Sequence, residues 1–240
     1  MYNNQYQGPD RYGYTPLEND RNLTMTVSSA MKRVYFKMTL GLIATAFTAL
    51  ACANNGFLEY MAYHSWLMWV LIIAEFGLVI GISSGINKLS NSVASALFYL
   101  FAVVNGLMLS SIFVVYSMTA IVKTFFITAG TFGAMSVYGY FTNQDLSKIG
   151  SYLFMALIGL IIASLVNIFL KSSGLDWVIS IVGVLIFIGL TAWDTQQIKS
   201  MAQAAPSDSI GKLATLGALS LYLDFINLFL YLLRIFGNRD

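Results

Sequence analysis

Charge is what this 240-residue chain has least of. Only 10% of its residues are Asp, Glu, Lys or Arg, against 58% that are hydrophobic, where a soluble domain carries about 25% charged residues. A soluble globular protein is excluded. The 13 basic and 11 acidic residues leave a net charge of +2. They are scattered and form no electrostatic footprint for nucleic acid. The single Cys52 excludes an internal disulfide framework and any CxxC metal or redox motif, and a single histidine gives no basis for a histidine metal site. No HExxH, GxSxG, P-loop or dinucleotide fingerprint occurs. His64 has only Glu59 near it in sequence, too few groups for catalysis. The chain is expected to be neither an enzyme nor a cofactor protein.

What is present is apolar length. Blocks of hydrophobic residues recur with short polar breaks, each matching the roughly 20 residues a helix needs to cross a hydrocarbon layer about 30 Å thick. Seven such segments are read, at 34–53, 65–84, 92–116, 119–141, 150–170, 176–200 and 212–236. Residues 1–30, rich in Tyr, Asn, Gln and Gly, read as a flexible cytoplasmic tail without the pattern of a cleaved secretory signal. Residues 31–240 form the transmembrane domain. The predicted fold is an all-α integral membrane protein of seven helices in a lipid bilayer. The run Gly130, Gly133, Ala134 suggests close helix contact. Trp66, Trp69, Tyr138, Tyr140 and Trp177 fall near segment ends, as interfacial anchors do.

Cytoplasmic flanks are enriched in Lys and Arg. With the N-terminus inside, Lys32, Arg33, Lys37, Lys88, Lys148, Lys199 and Lys212 are cytoplasmic, while Lys123, Lys171, Arg234 and Arg239 lie on the other side. The stretch Asn54 to His64 has no basic residue, which favours this orientation.

Three carboxylates sit where apolar segments should exclude them: Glu75 in the second, Asp194 in the sixth and Asp224 in the seventh. An acid at the bilayer centre costs about 2.5–3.5 kcal/mol on insertion scales, and such residues face a bundle interior or a water-filled cavity. They are either structural or functional. In the seventh segment Gly217, Ser220, Asp224, Asn227, Tyr231 and Arg234 recur at three- and four-residue steps, on one face. A spanning helix with such a stripe belongs inside the bundle, enclosed by the other six. Segments six and seven are antiparallel neighbours joined through Pro206, Ser207, Asp208 and Gly211. A turn near Ser209 leaves Asp194 and Asp224 equally far along the two arms, at one depth. Asp194 and Gln197, three apart, give segment six a candidate polar face.

Two carboxylates that meet cannot both ionise cheaply, and together they hold a shared proton near neutral pH. The protonated pair draws its helices together; the ionised pair repels them or takes up a cation. Calcium, which prefers oxygen ligands, could be held weakly by Asp194 and Asp224, with Glu75 adding oxygens along a path. Asn105, Ser110 and Asn167 read first as helix-packing groups.

The stretch SLYLDFINLFLYLLRIFG, containing Asp224, resembles the terminal signature of the transmembrane Bax-inhibitor-motif family, and AWDTQQIK, containing Asp194, resembles its sixth-helix motif, usually Tyr-Asp rather than Trp-Asp. The resemblance extends over residues 30–240, through the Glu75 segment, TFGAMSVYGYFTNQDLSKIG and VNIF around Asn167. It implies a seven-helix bundle with a central seventh helix. Bacterial members are described as pH-sensitive calcium leak channels gated by two aspartates, roles that fall on Asp194 and Asp224, with a contribution from Glu75. Ser220, Asn227, Gln197 and Asn167 are the supporting polar residues. Lys88 is the only candidate for a basic residue that some members place after the second helix. Eukaryotic relatives restrain cell death and calcium release, and some bacterial ones associate with a membrane protease. The expectation is a pH-gated calcium leak of the bacterial cytoplasmic membrane. The rivals are a proton-coupled transporter and a non-conducting regulator of a protease or stress response.

Overall fold

The structure is a computed structural model that describes residues 16–206 and 208–237, the side chains of 16–24 excepted. Its regular structure is helical: α1 (Pro16–Asn54), α2 (Phe57–Tyr63), α3 (Ser65–Gly85), α4 (Asn91–Leu109), α5 (Ile112–Val115), α6 (Met118–Phe141), α7 (Ser147–Leu170), α8 (Ser173–Ala204) and α9 (Ile210–Phe236). Among the described residues seven spans are long and apolar enough to cross a membrane. They are the seven segments expected, with α4 and α5 forming one span and α2 a short helix in the break after α1.

Local chemistry places the breaks. Ser90, Ser117 and Ser172 cap α4, α6 and α8, each hydroxyl accepting from a backbone N–H three residues on, at 3.3 Å. Gly56 takes the left-handed conformation (φ 71°) that turns α1 into α2. α1 starts at Pro16, well before the expected residue 34, because proline suits the first helical position and Val27, Ala30 and Met31 give the early turns a face to bury. Residues 16–30 of the expected tail are therefore helical, and residues 1–15 lie outside the described residues.

α9 is the most buried span and α7 the least. α9 packs along α8, α1, α6 and α4 and touches α3; α7 packs on α8, and α3 on α4. Close approach uses small residues. A side chain on Gly139 of α6 would run into the backbone of Ala192 in α8, and one on Gly106 of α4 would meet the Thr45 carbonyl of α1 at 2.7 Å. The expected contact at Gly130 and Gly133 is not made: neither would bring a side chain within 4 Å of another group. Gly133 faces an opening beside α6 and Gly130 is exposed, while the tight contact of α6 lies further on at Gly139.

One end of the bundle gathers the basic residues. Lys37 Nζ donates to the Gly211 carbonyl (3.4 Å), Lys212 Nζ to the Asn87 carbonyl (3.2 Å) and Lys199 Nζ to the Tyr140 carbonyl (2.7 Å). Cations at carbonyl-rich turns and helix ends are favoured electrostatically. At the opposite end Arg234 pairs with Asp176 at 3.7 Å.

Candidate functional site

The seam between α8 and α9 is built from the stripe on α9. Gly217 packs on Ile198 and Tyr231 on Gly183; the Ser220 hydroxyl donates to Asp194 Oδ2, and Arg234 reaches Asp176. The stripe thus lies along α8, with Tyr231 also in contact with Ser164 of α7. Asn227 is the exception, donating to the Leu223 carbonyl of its own helix at 2.8 Å.

At the centre of the seam the carboxyl groups of Asp194 and Asp224 lie next to one another. Asp224 is 4% exposed. Its Oδ2 has no hydrogen-bond partner among the described residues, and neither acid has an ion pair among them. Carboxyl groups are acceptors when ionised and donate only when protonated, so two that share a hydrogen bond hold a proton between them. Gln197 is half-buried on α8, three residues beyond Asp194.

Glu75 belongs elsewhere. Asn105 Nδ2 donates to Glu75 Oε1 at 2.9 Å, and the Tyr222 hydroxyl donates to Asn105 Oδ1 at 3.1 Å. Tyr222 also meets Thr45 Oγ1 at 2.5 Å, and Thr45 donates to the Ala102 carbonyl at 2.8 Å. This track links α3, α4, α9 and α1. Tyr222 and Asp224 are two residues apart, which at 3.6 residues per turn turns them about 200° from one another. Glu75 and the aspartate pair therefore lie on opposite sides of α9. No group of three metal-ligating side chains forms among the described residues, so the three acids do not make one calcium site.

Asn167 serves a turn: its Oδ1 accepts from the Ser172 N–H at 3.1 Å where Lys171 adopts a left-handed backbone (φ 51°) between α7 and α8. The neighbour of Gln197 does what sequence did not suggest. Gln196 donates to the Gln144 carbonyl (2.7 Å) and accepts from the Leu146 N–H (2.9 Å), fastening the α6–α7 loop to α8. In that loop the Ser147 hydroxyl and N–H hold the Asp145 carboxyl below its usual range. Trp193, standing where the resembled motif has tyrosine, packs on Gly150 of α7.

Sequence reading also missed the second polar line of α9. Gly211, Thr215, Ala218 and Tyr222 step by four, three and four residues toward α1 and α4. Lys37 on α1 donates to Thr215 (2.6 Å) and Ser95 (2.7 Å). The spacing was the available signal, masked by leucines between those positions.

Residues 27–240 match the sequence pattern of the family described as inhibitor of apoptosis-promoting Bax1. The chain belongs to this family. It is 51% identical over 213 residues to the inner membrane protein YbhL of Escherichia coli K12, covering 87% of this chain and 91% of that one. A Borreliella burgdorferi protein is 46% identical over 226 residues (93% and 97% covered), and one from Rickettsia prowazekii 44% over 210 (87% and 89%). The resemblance drawn from the motifs around Asp194 and Asp224 therefore holds across the membrane domain, and both α8 and α9 lie within the span shared with the family.

Proposed function

We propose that this protein is a pH-sensitive leak for calcium or a similar cation in a bacterial cytoplasmic membrane, with Asp194 and Asp224 as its proton sensor. One observation carries the reading: a buried carboxyl group, Asp224, lies beside a second carboxyl group, and neither has an ion pair among the described residues. In this reading the closed seam holds a proton between the two acids. Loss of its proton leaves two negative charges in contact at low dielectric, which drives α8 and α9 apart or recruits a cation and water. Ser220 and the two carboxylates offer a calcium ion a loose set of oxygen ligands.

Glu75 enters as part of a separate polar track rather than as a third ligand. The two tracks use opposite sides of α9. Location in an inner membrane is supported by the name of the E. coli relative, and a cytoplasmic N-terminus by the basic residues gathered at one end of the bundle.

The test is calcium flux into dye-loaded liposomes holding the purified protein, across about pH 5 to 8, a range wide enough for a shared-proton pair to titrate. Wild type should show a pH-dependent flux that flattens in Asp194→Asn/Asp224→Asn with the fold retained. No flux at any pH from folded protein would turn the reading to a non-conducting regulator. Saturable flux requiring a proton gradient would turn it to a coupled transporter.

A further inference from the structure

α1 and α6 both pack on α9 but do not close over it. Between them lies a groove in two parts that share Leu42, Phe125 and Phe225 as walls. The deeper part, of about 360 Å³, is apolar and floored by Phe225 and Phe229 of α9. The part toward the basic end, of about 750 Å³, carries Ser28, Lys32, Tyr35, Ser136 and Tyr140. Gly133 lines it with no group within 4 Å of where a side chain would start.

We propose that this groove binds one anionic phospholipid from the leaflet at the basic end, its phosphate at Lys32 and an acyl chain running past Leu42. This goes beyond the leak reading and does not depend on it. Three features select the occupant.

The first is charge. Among the described residues Lys32 is the one charged side chain lining the groove, and it has no ion pair with any of them. A zwitterionic headgroup would bring its own cation against that lysine, whereas an anionic one brings only complementary charge.

The second is an unmet hydrogen bond. Ser136 is 5% exposed and its hydroxyl has no partner among the described residues. It sits one turn deeper than Tyr140 on α6, the depth of the ester carbonyls just below a lipid phosphate. A buried hydroxyl without a partner is uncommon and calls for an acceptor.

The third is size. Ten residues of α1 separate Lys32 from Leu42, about 15 Å at 1.5 Å per residue, which is one leaflet of a hydrocarbon core roughly 30 Å thick. A headgroup at Lys32 thus delivers a chain end to the apolar part near the midplane. That part holds about a dozen water-sized groups at roughly 30 Å³ each. This suits a hydrocarbon chain, which fills such a volume with a single file of methylene groups.

The experiment reconstitutes the full chain in vesicles of equal phosphatidylglycerol and phosphatidylcholine, extracts it in mild detergent and counts retained lipids by native mass spectrometry. Wild type should hold one phosphatidylglycerol several-fold in excess over phosphatidylcholine. Lys32→Gln, an exposed change that leaves packing intact, should lose the headgroup preference. Gly133→Phe should fill the groove and release the lipid of either kind. Equal retention of both lipids by wild type would overturn the proposal, as would an undiminished preference in Lys32→Gln. A protein dimer dispersed by Gly133→Phe, with no bound lipid, would assign the groove to a second copy instead.

Discussion

The Ser220 hydroxyl donates to Asp194 across the α8–α9 seam, on the carboxyl group that also touches Asp224. A donor of this kind supports the ionised form of the acid that accepts it. Ser220→Ala removes that support, so the pair gives up its proton less readily and the transition in calcium flux should move to higher pH. A hydrogen bond to a charged group contributes about 1.5 kcal/mol, and 1.36 kcal/mol is one unit, so the expected displacement is about one pH unit. Flux against pH in liposomes reads it directly. An unmoved transition in the folded variant would take Ser220 out of the sensor.

Tyr222→Phe tests the other side of α9. The change leaves Asn105 Oδ1 without its donor, while Thr45 keeps its bonds to Ala102 and Gly41. The cost should be about 1–3 kcal/mol of stability, that of one buried group left unpaired. Because Tyr222 faces away from Asp224, the pH at which flux changes should stay where it is. Unfolding in detergent gives the first quantity and the liposome assay the second; a large shift in the transition would mean that the two tracks act as one.

How much of this was legible in the sequence follows from periodicity. The seven spans could be placed because apolar length is a one-dimensional property, and the common depth of Asp194 and Asp224 because antiparallel neighbours joined by a short turn set depth by counting residues. Rotation is different. Nothing in the sequence of α3 says which way Glu75 faces, and only its bond to Asn105 puts it on the far side of α9. Likewise Gly130 and Gly133 have the spacing of a contact but meet no neighbouring group, because small residues permit close approach without requiring it.

That distinction predicts opposite behaviour for two glycines of α6. Gly139→Ala drives a methyl group into the backbone of Ala192, which cannot move without parting α6 from α8, and should destabilise by about 1–3 kcal/mol, the range for overpacking. Gly130→Ala meets nothing and should be neutral or stabilising by up to about 1 kcal/mol from helix propensity. Thermal unfolding of the two purified variants side by side decides it; equal effects would refute the packing account.

Asp145 offers a titration outside the membrane spans. Its carboxyl is held low first by the Ser147 hydroxyl and then by the Ser147 N–H, which donates at 2.9 Å. A depressed folded value means that this contact adds stability above the usual carboxylate range and loses it as pH falls through the lowered value. Ser147→Ala should return the Asp145 titration toward its ordinary position, seen as a rise in the midpoint by NMR of carboxyl-labelled protein. Flux at neutral pH should not change. A midpoint that stays low would assign the effect to the backbone N–H and the Lys148 charge instead.

Lys37 presents the reverse of a buried acid. Its ammonium group, half-buried within the first span, is held by the hydroxyls of Ser95 and Thr215 and by the Gly211 carbonyl, with no carboxylate among the described residues to balance it. Removing either side of such a contact has unequal consequences. In Lys37→Met the charge goes and the oxygens keep other partners: Ser95 bonds the Asn91 carbonyl, Thr215 the Gly211 carbonyl, and the two hydroxyls face one another at 3.3 Å. In Thr215→Val the charge stays and loses one of its three acceptors. A desolvated cation short of a hydrogen bond costs more than two hydroxyls that pair with each other. Lys37→Met should therefore lie within about 1 kcal/mol of wild type, and Thr215→Val should cost about 1.5–3 kcal/mol. Equilibrium unfolding in detergent micelles measures both. If Lys37→Met proves the more damaging of the two, the ammonium group is attracting something that the three oxygens do not account for.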